Sequence, residues 1–85
     1  MNDLDELGNC STLIRRWAQC WGAPELADQI ACEWSSRLRK SLGRAYPERM
    51  LVRLSVLLKD PKYASLYEHV LCHEVAHVAA FYIHG

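Results

Sequence analysis

The stretch from Val70 to Ile83 is the longest apolar run in the chain, and only His73, Glu74 and His77 interrupt it. A helix that is apolar nearly all round belongs at the centre of a fold. Val70, Leu71, Val75, Ala76, Val78, Ala79 and Phe81 supply that character, and Ala76, Ala79 and Ala80 permit close packing by neighbours. The run falls short of the roughly 18 residues that cross a bilayer, so no membrane partner is expected. Two imidazoles and a carboxylate inside such a helix are costly to bury unless a metal or hydrogen bonds satisfy them.

His73 and His77 are four positions apart, which places them on one helix face about 6 Å apart along the axis. At that spacing two imidazoles can converge on one ion at about 2.0–2.1 Å each. Glu74 lies about 100° further round and reaches a water in an open metal position without occupying the ligand site. These residue types suit hydrolysis with Zn2+ as cofactor. Glu74 takes a proton from a water whose pKa the metal lowers to about 7, the hydroxide attacks an amide carbonyl, and Glu74 returns the proton to the leaving amine. This is the mechanical content of His-Glu-x-x-His on a helix. Glu74 is therefore the catalytic candidate, and His73 and His77 are the metal candidates. The plainer alternative is a pair of hydrogen-bonded core histidines with Glu74 at the surface.

The remaining elements read as α+β. Residues 1–10 form an acidic lead-in expected to fray, and 11–85 a single domain. Ser11 is a plausible N-cap for a helix over Thr12 to Trp21 that Gly22 ends. Trp17 and Trp21 read as a core stripe rather than a ligand stack. Pro24 suits the first turn of a second helix running to about Leu42, with Ile30, Trp34 and Leu38 on one buried face and Gly43 as terminator. Arg44 to Tyr46 and Met50 to Leu58 alternate like strands and are expected to form a hairpin across Pro47. Asp60-Pro61 starts another helix with Asp60 as cap, and the last helix covers about Tyr67 to Ile83.

The chain carries 85 residues, half of them apolar, with no net formal charge. That profile fits one soluble globular domain. The acidic N-terminus has no apolar core, so a secretory signal is excluded and a cytoplasmic, intracellular location follows as the default. Cys10, Cys20, Cys32 and Cys72 contain no Cys-x-x-Cys pair, and read as reduced, small hydrophobes in or near the core. Cys72 points away from the histidine face. Residues 35–62 hold eight Lys and Arg against Glu48 and Asp60. Such a segment could meet phosphate, with Arg37, Arg39, Lys40 and Arg44 as weak nucleic-acid candidates. A solvated helix face and strand edges is the plainer reading, because no aromatic residues are interleaved for base stacking.

From Trp34 onward the sequence also resembles the SprT-like metallopeptidase family, whose eukaryotic members include the Spartan protease. The resemblance is carried by Trp34-Ser-Ser-Arg-Leu-Arg-Lys-Ser-Leu-Gly-Arg-Ala-Tyr46, by Val52-Arg-Leu-Ser55, and by Leu71 to Phe81 with His84-Gly85 behind it. It covers about residues 25–85. It implies a zincin-like fold with three to four helices on a small antiparallel sheet and a central metal-binding helix near the C-terminus. It also implies proteolysis of proteins, including proteins crosslinked to DNA, so the expected partners are a protein or peptide substrate and DNA, with a nucleoid-associated location in that case. The family takes a third histidine ligand from a His-Gly pair on a later loop. His84-Gly85 is only seven residues past His77 and would serve only if the helix broke near Ala80. The resemblance thus implies a missing third ligand and, as an alternative, a truncated, catalytically incomplete zinc-binding or DNA- and protein-interaction module. His69 reads as an outer-shell or surface residue, and Tyr82 as an oxyanion donor only if the helix end unwinds.

Overall fold

The computed structural model describes residues 3–38 and 40–85, with residues 3–9 described by backbone alone. It contains two α-helices, α1 (Asp3–Cys20) and α2 (Ala64–His84), and three strands, β1 (Ala31–Ser35), β2 (Gly43–Tyr46) and β3 (Leu51–Ser55), among the described residues. Short 3-10 turns fill the connections at Pro24–Asp28, Pro47–Arg49, Val56–Lys59 and Pro61–Tyr63. The architecture is α+β, with fewer helices than the sequence predicts.

The sheet is built around β3. Leu51, Val52, Leu54 and Ser55 are all buried, and the strand pairs on both sides in the order β1-β3-β2. β2 runs antiparallel to β3, as the hairpin across Pro47 predicts, but β1 runs parallel to it. The sheet is therefore mixed, not antiparallel. Met50 closes the turn between β2 and β3 with φ 51° and ψ 46°. Its N–H donates to the Pro47 carbonyl at 3.0 Å, and its own carbonyl accepts from the Ala31 N–H at 2.9 Å, which ties the turn to the start of β1.

The helix expected over 24–42 does not form. A single 3-10 turn follows Pro24, and the chain then extends into β1. The segment carries two periods at once. Ile30, Trp34 and Leu38 are four apart, but Ile30, Cys32 and Trp34 are two apart and all three pack against the core, while Ala31 and Glu33 are exposed. Pairing with the buried strand β3 satisfies the backbone of residues 31–35 and decides for the period of two. Gly43 accordingly begins β2 instead of ending a helix.

α1 starts well before the expected cap. Ser11 lies within the helix and is exposed, while Cys10, Leu13, Ile14 and Ala18 form the buried face. The helix ends as expected at Gly22, whose φ is +75°. There the Ala23 N–H reaches the Ala18 carbonyl at 2.9 Å and the Gly22 N–H reaches Gln19 at 3.2 Å, the paired bonds of a Schellman ending. Trp17 and Trp21 stack at 6.5 Å and pack on the core. Two side-chain oxygens cap the turns before α2: Ser55 Oγ accepts from the Leu57 N–H, and Asp60 Oδ1 accepts from the Lys62 N–H as expected. No helix among the described residues is long and apolar enough to cross a membrane.

Candidate metal centre

The rotation of α2 about its axis places the site. Leu71, Val75 and Val78 are fully buried and form one stripe against β3 and the helix α1. At 100° per residue, His73 and His77 lie about 165° and 125° from the centre of that stripe, and Glu74 only about 65° from it. Both histidines are accordingly exposed and Glu74 is half-buried at the boundary. This corrects the expectation of polar groups sunk in an apolar helix. Burial does not force these imidazoles to find a ligand; their convergence is the informative feature.

The Nε2 atoms of His73 and His77 are 3.2 Å apart, and the rings meet edge to face with centroids at 4.7 Å. Two nitrogens at that separation can both lie about 2.0–2.1 Å from one point and subtend about 103° there, close to the tetrahedral value that zinc adopts. A ligand atom of Glu74 lies within 4.8 Å of both imidazole ligand atoms, so the three residues form one cluster able to hold a metal ion. The same 3.2 Å also suits a hydrogen bond between one protonated and one unprotonated Nε2.

The backbone at Gly43 lies close to Glu74 on the other side. A Cβ built on Gly43 would lie 2.7 Å from Val70 Cγ1, 3.0 Å from Glu74 Cγ and 3.4 Å from Glu74 Oε2. Strand β2 therefore approaches α2 more closely than any side chain at position 43 permits. Gly43, expected to terminate a helix, instead opens β2. The signal for its true role was a glycine opening a strand-like segment, which marks close backbone approach.

A groove of about 510 Å³ runs over the cluster, between β2 and α2, with Gly43, Arg44, Pro47, His73, Glu74 and His77 in its walls. A neighbouring groove of about 450 Å³ carries Lys40 and His69 beside His73 and Glu74. Of the nucleic-acid candidates, Lys40 and Arg44 thus border the site, Arg37 is exposed on the loop after β1, and Arg39 lies outside the described residues. Much of the remaining positive charge covers aromatic faces: Arg49 and Arg53 lie over Tyr46, Lys59 over Trp34 and Lys62 over Tyr63.

The helix does not break at Ala80. It continues through His84, and the Gly85 N–H still bonds the Phe81 carbonyl at 2.7 Å. His84 is about 10 Å along the axis from His77 and outside the metal-capable cluster, so the fold-back that would make it a ligand is absent. Tyr82 is likewise committed elsewhere, its hydroxyl donating to Glu25 Oε2 at 3.0 Å.

A family model settles the lineage: that of the SprT-like family matches residues 12–85. The chain belongs to the SprT-like family. The match takes in α1 from residue 12 onward as well as the segment from Trp34, and it gives no support to the alternative of an incomplete binding module. No curated protein and no solved structure matches the chain. In this SprT-like chain the matched span contains every residue of the His/Glu/His cluster and the glycine that abuts it.

Replacing Gly43 by Ala should test that contact. The variant is expected to lose about 1–3 kcal/mol of stability, the usual cost of overpacking, because Val70 or Glu74 must shift. Equilibrium denaturation measures it, and a loss below about 0.5 kcal/mol would show that β2 and α2 are not in tight register here.

Proposed function

We propose that this chain is a zinc-dependent peptidase domain of zincin-like fold. The observation that carries the reading is the 3.2 Å convergence of His73 and His77 Nε2 atoms with Glu74 alongside. His73 and His77 would hold the ion through Nε2. Zinc supplies, when bound, a polarised carbonyl and a bound water whose pKa falls to about 7.

The other work falls to the protein. Glu74 sits one residue from His73 and out of line with the two imidazoles, so its carboxylate is free to accept a proton from the attacking water and later donate it to the leaving amine. Gly43 leaves room for that carboxylate at the close approach of β2 to α2. A peptide substrate is supported by β2, which among the described residues has a strand neighbour on only one side and contributes Gly43 and Arg44 to the groove. An unpaired strand edge takes up an extended peptide through main-chain hydrogen bonds.

The decisive experiment compares wild type with Glu74→Gln on an unfolded protein substrate such as casein. Wild type is expected to cleave, to stop on chelation and to resume with added zinc. Glu74→Gln should retain zinc while its rate falls by about two to four orders of magnitude, the usual contribution of a positioned general base. Equal activity in the two proteins would remove Glu74 from the mechanism, and chelator-insensitive cleavage would remove the metal.

Lys40 and Arg44 beside the same grooves support substrates that are bound to DNA. Fluorescence anisotropy with a short oligonucleotide is expected to show binding that weakens steeply with salt and is reduced in a Lys40→Glu/Arg44→Glu variant. Salt-insensitive binding, or none, would confine the proposal to ordinary protein substrates.

A further inference from the structure

Cys10 and Cys32 are 22 positions apart and belong to different elements, yet their Sγ atoms lie 2.7 Å from one another. That is closer than ordinary van der Waals contact between sulfurs and only about 0.7 Å longer than a disulfide bond of about 2.05 Å. Cys10 projects from the buried face of α1, where it is 4% exposed, and Cys32 packs against the same core from β1. Each element is held in place without the other's thiol. Leu13 and Ile14 anchor α1 in the core, and the ladder to β3 anchors β1. The two sulfurs are thus brought together by the fold. A cavity of about 160 Å³ adjoins them, lined by Cys10, Ser11, Ile14, Ala27, Ile30 and Cys32. That is several times the roughly 30 Å³ a water occupies, and so room enough for hydrogen peroxide.

We propose that Cys10 and Cys32 form a redox-active dithiol that hydrogen peroxide converts to an intramolecular disulfide, joining α1 to β1. Cys10 is the peroxide-reactive thiol. The hydrogen-bonding contact with Cys32 holds its pKa below the ordinary thiol value, against the opposing effect of burial. The same contact, together with burial, pushes Cys32 up. The Cys10 thiolate attacks one peroxide oxygen, the O–O bond breaks, and the departing hydroxide takes up a proton as water. Cys10 is then a sulfenic acid. Cys32 gives up its proton as its sulfur attacks the Cys10 sulfur; the S–O bond breaks and a second water leaves. Two thiols have lost two electrons, and one peroxide has become two waters. The product links two distant points of the chain and restricts the unfolded state.

The test uses the full chain, reduced and then exposed to a small excess of hydrogen peroxide. Intact mass is expected to fall by two hydrogens, and peptide mapping to place the crosslink between Cys10 and Cys32. The thermal midpoint should rise by about 10 °C over the reduced protein and return with dithiothreitol. A Cys32→Ser variant, checked for folding by circular dichroism, should trap Cys10 as a sulfenic acid that dimedone labels. The wild-type mass and peptide map decide the matter even if that variant does not fold. Oxidation of the exposed Cys20 while Cys10 and Cys32 stay alkylatable would overturn the proposal, as would crosslinks only between chains.

Discussion

The seating of α2 against the sheet is the constraint on which the rest of the molecule depends. Leu71, Val75 and Val78 recur at i, i+4 and i+7 and are each fully excluded from water. Burying them is worth about 1.5–3 kcal/mol per side chain, which makes any other rotation of this helix expensive. Once that rotation is set, His73 and His77 must face out and Glu74 must lie at the rim. The same seating draws β2 onto α2 at Gly43, where contact leaves no space for a side chain. Core packing and site geometry are thus one arrangement seen from two sides of a helix.

This explains why the metal candidates are exposed without being arbitrary. Exposed histidines four apart on a helix ordinarily sample several rotamers. Here the rings converge with their Nε2 atoms 3.2 Å apart, at the mouth of a groove whose other wall is an edge strand. The hydrolysis proposed for this cluster would need a positioned carboxylate together with open access for an extended substrate. Glu74, half-buried and abutting Gly43, meets the first need, and the solvent-facing imidazoles meet the second.

How far the sequence could be read follows from which signals were single and which were mixed. The last helix was legible because its apolar run is long, although it begins at Ala64, directly after the turn that Asp60 caps. β2 and β3 were legible as short strand-like segments on either side of Pro47, but β3 is buried on both faces and ends at Ser55, where a 3-10 turn replaces the continuation expected to Leu58. The segment from Pro24 to Leu42 was not, since Ile30, Cys32, Trp34 and Leu38 satisfy both a helical and a strand period. Only the long-range pairing of Ala31–Ser35 with Leu51–Ser55 resolves it. The same error hid two features. Gly43 looked like a stop signal because a helix was expected before it. Cys10 and Cys32 looked scattered because their meeting requires β1 to be a strand beside α1. The His-Glu-x-x-His residues needed no tertiary information, because a four-residue spacing on one helix fixes their relation locally.

The central claim is that His73 and His77 jointly hold zinc, and the coordination shell itself tests it most directly. X-ray absorption at the zinc edge of the zinc-loaded chain should show one zinc per protein with nitrogen or oxygen neighbours at about 2.0–2.1 Å and imidazole scattering from two histidines. That scattering should be lost when both histidines are replaced by Ala. Failure to retain zinc would contradict the account, and so would a shell containing sulfur at about 2.3 Å, which would move the metal to the cysteines.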